Sequence, residues 1–164
     1  MNYWPKEQLR RYHSNIWLPS NISVMLNDFI NQFNSIDMTL HAKFECKHDK
    51  KSVIPGITKS KLFDSSNTLV ECYERINANG MPIGILQKCV IRVHNLSKLY
   101  DYTYTVAREG MIITAWATYK NDIHKLKQSW KKYYFPVELT EILKEQFEGK
   151  YEEEEYKSNS ELVI

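Results

Sequence analysis

Four residues of this 164-residue chain have the chemistry of a metal-free phosphodiester site: His41, Arg92, Thr114 and His124. Splitting RNA through the ribose 2′-hydroxyl needs three things. A base takes the 2′-OH proton, an acid protonates the leaving 5′ oxygen, and cations hold the charge crowded at phosphorus. His41 and His124 carry the side chain that titrates nearest neutrality and suit the proton transfers. Arg92 is charged at any working pH and grips phosphate with two nitrogens at once. Thr114 supplies a hydroxyl to a phosphate oxygen. Lys43 and Lys88 add cations for the RNA backbone, and Tyr102, Tyr104 and Trp116 add rings on which unpaired bases stack at about 1–3 kcal/mol each. Each residue also has a plainer role. Arg92 and Lys88 suit solvent-facing strand positions, the three aromatics suit a second core under a helix, and His124 suits a brace of the Asn121-Asp122 corner. The lysines around His41 (Lys43, Lys47, Lys50, Lys51) likewise suit a solvated helix end.

Other chemistries find little support. There is no GxxxxGK[ST] or GxGxxG phosphate loop and no GxSxG elbow. Cys46 and His48 have no second pair at zinc-like spacing, and Cys46, Cys72 and Cys89 form no CxxC. The acids gather near the C-terminus rather than in pairs suited to glycoside or metal-ion chemistry. The inventory therefore implies neither a metal nor a cofactor.

Most of the candidate residues fall between Gln87 and His124, where three β-type runs are separated by turn signals. The runs are Lys88–His94, Tyr100–Ala107 and Met111–Tyr119; the breaks are Asn95-Leu96-Ser97 and Arg108-Glu109-Gly110. Side chains alternate across a strand, so Lys88, Arg92 and His94 share a face, as do Tyr100, Tyr102 and Tyr104, and Thr114, Trp116 and Thr118. Cys89, Ile91, Val93, Met111, Ile113 and Ala115 read as the apolar side of the same sheet. Thr68–Ile76 is a fourth strand joined through Asn77-Ala78-Asn79-Gly80, but both of its faces mix apolar and charged residues. Upstream, Pro5 predicts a short helix over 5–13, and Pro19-Ser20-Asn21 starts another whose stripe is Ile22, Met25, Leu26, Phe29, Ile30 and Phe33. A further helix is expected over Leu40–His48. The last begins at Pro136, carries Val137, Leu139, Ile142, Leu143 and Phe147, and stops at Gly149.

These elements predict an α+β fold: N-terminal helices packed on one face of a four-stranded antiparallel sheet, a C-terminal helix, and a flexible acidic tail. One domain over 1–149 and a disordered tail over 150–164 follow from the composition. Net charge is +2, but Glu148, Glu152, Glu153, Glu154, Glu155 and Glu161 against Lys150 and Lys157 give −4, so the preceding residues carry +2 − (−4) = +6. A basic body permits a polyanion partner. No window is apolar enough for a membrane helix, no signal-type segment opens the chain, and the few unpaired cysteines fit a cytoplasmic setting.

The pattern Leu40-His41-Ala42 near the end of an N-terminal helical segment, the basic strand KCVIRV, and DYTYTVAREGMIITAWATYKNDIHK together resemble small phage and prophage proteins related to the RelE-like RNase toxins. Those proteins belong to the barnase–EndoU–colicin–RelE group of nuclease folds. The resemblance spans roughly His41 to Lys125 and implies helices on one side of an antiparallel sheet whose other side cleaves RNA without metal. Carried across, His41 matches the leading histidine, Arg92 the basic strand residue, Thr114 the final-strand threonine and His124 the histidine beyond it. Lys43-Phe44-Glu45 stands where relatives often have an arginine. The implied partners are RNA and an antitoxin or host protein. Non-catalytic binding of a host protein or RNA by the same face is the alternative.

Overall fold

The computed structural model describes residues 8–14, 16–94, 99–120 and 133–146. Within them the chain is α+β, with four helices and a mostly antiparallel, open seven-stranded sheet. Its centre is the expected meander of β3 (Thr68–Ile76), β4 (Pro82–Val93), β5 (Tyr100–Ala107) and β6 (Met111–Tyr119). β1 (Leu9–His13) pairs antiparallel with β3 on one side, and β7 (Tyr133–Tyr134) pairs with β3 beyond it. β2 (Asp37–Met38) runs parallel to β6 on the other side.

Seven strands replace the four expected, for two reasons. β2 and β7 have two residues each, too few to leave a periodic signal. β1 occupies residues read as a Pro5-initiated helix; Leu9-Arg10-Arg11-Tyr12-His13 instead takes its backbone partners from the edge of β3, from Leu9↔Arg75 to His13↔Glu71. Pairing with a sheet edge overrides local propensity here.

α1 (Ile22–Ile30) packs on β4, and α2 (Leu40–His48) packs against β6. α3 (Lys59–Leu62) lies beside α4 (Val137–Gln146). Each helix contributes to a single apolar core with Leu69, Cys72, Leu86, Cys89, Ile91, Tyr102, Tyr104, Val106, Ile112, Ala115 and Ala117 of the sheet. Filling such a core contributes roughly 1.5–3 kcal/mol per large side chain. All three thiols are buried in it, and Cys72 and Cys89 are direct cross-strand partners. Lys59 is also buried; its ammonium donates to the Phe33 carbonyl at 2.6 Å, and burial lowers its pKa.

Two bulges explain where strict alternation misleads. On β3, Leu69 pairs with Ile91 but Glu71 with Val90, so Val70 is an extra residue and the face pattern slips. Leu69 and Cys72 thus face the core, while Val70, Glu71 and Tyr73 lie on the opposite, polar face. On β6, Thr105 pairs with Thr114 but Val106 with Ile112, leaving Ile113 extra. Ile112, rather than Met111 and Ile113, is therefore the fully buried residue. The hairpin before it closes at Gly110 (φ +83°), where a Cβ would lie 2.7 Å from both the Phe33 ring and the Ser35 carbonyl.

Candidate functional site

Register assembles the polar face in rows. One row runs His13, Glu71, Val90, Thr105, Thr114 across β1, β3, β4, β5 and β6. A second runs Arg11, Tyr73, Lys88. A third runs Thr68, Arg92, Thr103, Trp116. Val70 and Val90 form a small apolar patch on this face, with Tyr73 and Trp116 packed against them.

At the β1 end, Glu71 collects the neighbouring polar groups. Arg11 donates to it twice, Nη2 to Oε1 at 2.7 Å and Nε to Oε2 at 3.1 Å, and the Tyr73 hydroxyl donates to Oε2 at 3.0 Å. His13 Nε2 stands 3.9 Å from Oε1. Burial, together with the charge and hydrogen bond of Glu71, pushes the Tyr73 phenol up to about 12, so it stays a donor. Lys88 lies 4.5 Å over the Tyr73 ring. The Glu71 side chain is only 5% exposed, whereas that of Arg11 is 53% exposed. A buried carboxylate, a histidine and two cations thus gather on adjacent strands.

A second network lies where β4, β5 and β6 meet, around the buried carboxylate of Asp101. Arg92 Nε donates to Oδ2 at 2.9 Å and Lys120 Nζ to Oδ1 at 3.0 Å. His94 Nδ1 stands 2.9 Å from Oδ2 and its Nε2 is 2.8 Å from the Thr68 hydroxyl. A carboxylate only accepts, so Nδ1 carries the proton shared with Asp101. Burial raises the Asp101 pKa, but hydrogen bonds from Lys120 and Arg92 and the charges of His94 and Arg92 more than reverse this, holding the group below its ordinary range. Arg92 also donates to the Tyr119 and Lys120 carbonyls.

The residues singled out from the sequence are therefore dispersed. Arg92 is 5% exposed and held by Asp101, so it is not a solvent-facing strand cation. Tyr102 and Tyr104 point into the core, opposite Val93 and Ile91, and the Tyr104 hydroxyl donates to the Pro55 carbonyl. Their face was misread because a Tyr-x-Tyr-x-Tyr run fits either a wet or a dry surface, and the alternate residues Asp101, Thr103 and Thr105 take the polar side. Thr114 donates to Thr105 at 2.7 Å and is three strands from Glu71, about 14 Å at ordinary strand spacing. Lys88 and Trp116 lie on the polar face as expected. His41 and Lys43 sit on α2 at the β6 end, with His41 3.5 Å from Glu45. His124, the Asn121-Asp122 corner and the acidic tail lie outside the described residues.

Arg11, His13, Glu71 and Tyr73 were missed. For the first two, the signal was the alternation of Arg11 and His13 around an apolar Tyr12, hidden by the helix expectation. For the others, it was the bulge at Val70. Among the described residues, no group of three or more His, Cys, Asp or Glu side chains is placed to hold a metal ion, and no helix is long and apolar enough to cross a membrane. Comparison with known protein families, with curated proteins and with solved structures finds no match.

Proposed function

We propose that the polar face cleaves single-stranded RNA without a metal, at the Arg11–His13–Glu71 cluster. The observation that carries this reading is the pairing of a buried carboxylate with a histidine 3.9 Å away, under a largely exposed arginine. The incoming phosphate draws the Arg11 guanidinium outward and frees Glu71, which takes the 2′-OH proton. The 2′ oxygen attacks phosphorus and forms a 2′,3′-cyclic phosphate, and His13 protonates the departing 5′ oxygen. Arg11 and Lys88 hold the phosphate charge. Trp116 and Tyr73 offer rings to the neighbouring bases. A relationship to RelE-like RNase toxins, with a phage or prophage origin and an antitoxin or host-protein partner, is proposed alongside it, although this cluster lies at residues other than the four that the resemblance implies.

Incubating the full chain with RNA in EDTA tests it. Wild type leaves cyclic-phosphate ends, and Glu71→Gln and His13→Gln each lose at least about 100-fold in rate. RNA left intact by folded wild type sinks the proposal.

A second reading is supported by the engagement of Arg92 with Asp101: the face binds RNA or a host protein without cutting. It predicts intact RNA retained in a gel shift and released by Lys88→Glu.

A further inference from the structure

The outer side of α2 carries an unusual combination of charge and apolar exposure. The helix starts at Thr39, whose hydroxyl accepts the Ala42 N–H at 3.0 Å, and it turns Ala42 and Cys46 into the core. Its two acids are turned toward the sheet as well. Glu45 accepts the N–H of Ala115 at 3.2 Å, and Asp49 accepts that of Ala117 at 3.1 Å. These are β6 donors beyond the reach of β2, so the carboxylates seal a sheet edge.

With both acids drawn inward, the remaining charges between Leu40 and Val53 are cationic: Lys43, Lys47, Lys50 and Lys51, beside His41 and His48. Among them stand Leu40, 84% exposed, and Phe44, 61% exposed, one turn apart on the same side of the helix. The His48 ring rests 4.4 Å from that of Phe44.

We propose that this ridge docks an acidic protein segment that carries a bulky apolar side chain. Charge complementarity favours a carboxylate-rich partner, and the exposed i, i+4 pair gives it an apolar anchor. A nucleic acid fits less well, because the Phe44 ring already packs against the His48 ring at 4.4 Å and Leu40 offers a base no ring. A membrane fits less well, because two apolar side chains on a nine-residue helix form too short a face to lie in a bilayer interface. The inference is independent of the Glu71 cluster, which lies at the β1 end of the sheet on the polar face.

The test measures binding of the full chain to a 4:1 copolymer of glutamate and tyrosine, with polyglutamate, a single-stranded oligonucleotide and phosphatidylserine-containing vesicles as parallel probes. Wild type should bind the copolymer at least fivefold more tightly than polyglutamate. Phe44→Ala should weaken copolymer binding about tenfold, and Lys43→Glu with Lys47→Glu should abolish it. Phe44 and both lysines lie outside the buried core, so circular dichroism should show an unchanged fold. Equal affinity of Phe44→Ala and wild type for the copolymer overturns the proposal. So does a Phe44→Ala defect confined to the oligonucleotide or to the vesicles.

Discussion

Arg11 grips Glu71 with two nitrogens at 2.7 and 3.1 Å, yet the carboxylate is buried and the guanidinium is largely in solvent. The cation can leave without exposing the core, whereas the anion cannot. In the proposed cleavage an arriving phosphate would compete for Arg11 and leave Glu71 in place. Arg11→Lys keeps the charge but loses the fork, so cleavage should fall by roughly 10- to 100-fold, within the range for one positioned donor. Stability should change by no more than about 1 kcal/mol, because the pair is half in water. RNA-cleavage rates and urea denaturation together check this, and an unchanged rate removes Arg11 from the site.

Arg92 and Asp101 form the buried counterpart. Arg92→Ala leaves the buried Asp101 carboxylate to Lys120 and His94, removing a charge-assisted hydrogen bond, and should destabilise the fold by about 1.5–3 kcal/mol. The double variant with Asp101→Asn should cost less than the sum of the two singles. The pH dependence follows from the depressed Asp101 pKa. Its stabilising contribution is present above the unfolded carboxylate value near pH 3.9 and drains away as pH falls through the lower native value. Asp101→Asn should flatten the acid limb of stability against pH; a limb unchanged by the substitution would count against the network.

Gly110 and Gly80 both have positive φ, at +83° and +78°, but a Cβ at Gly80 meets open space. Gly80→Ala should cost about 1 kcal/mol through backbone strain alone. Gly110→Ala adds overlap with Phe33 and the Ser35 carbonyl and should cost about 3 kcal/mol or more. Thermal melts of the two variants should separate clearly, and equal losses contradict the close approach of Phe33 and Ser35 to this turn.

Glu45→Ala and Asp49→Ala should each strip a β6 amide of its acceptor and cost about 1–3 kcal/mol. The opened edge should also raise concentration-dependent self-association in light scattering. Glu45→Gln, which keeps an acceptor, should restore most of the loss.

On the polar face, Trp116→Ala should weaken single-stranded RNA binding by about 1–3 kcal/mol. Tyr104→Phe should leave it unchanged and lower stability by about 1 kcal/mol through the lost bond to Pro55. Fluorescence titration distinguishes the two; a binding defect in Tyr104→Phe contradicts its burial.

The long elements were legible because their signals are local. The Ile22 to Phe33 stripe, the Thr39-capped segment from Leu40 to His48, and the turns at Gly80 and Gly110 each announce themselves within a dozen residues. The candidate site was not legible, because it depends on non-local facts. β1 becomes a strand only when β3 offers an edge. Glu71 reaches the polar face only because Val70 bulges, and Arg92 looks available until Asp101, nine positions on, is folded against it. The alternation rule placed Thr114, Trp116 and Lys88 on the polar face, and failed for the tyrosines, whose amphipathic rings satisfy either side.

The three buried thiols have a practical consequence. Burial, with lesser contributions from neighbouring charges, pushes Cys46 up to about 11 and Cys72 up to about 12, and burial likewise raises Cys89 well above the ordinary thiol range. The thiolate is the species that alkylates, so buried thiols with raised pKa values should label with iodoacetamide only when the fold opens. Cys46 rides on α2, while Cys72 and Cys89 face each other across β3 and β4. The order in which they label is thus a built-in clock: it separates peeling of one helix from rupture of the sheet, with no probe added to the protein.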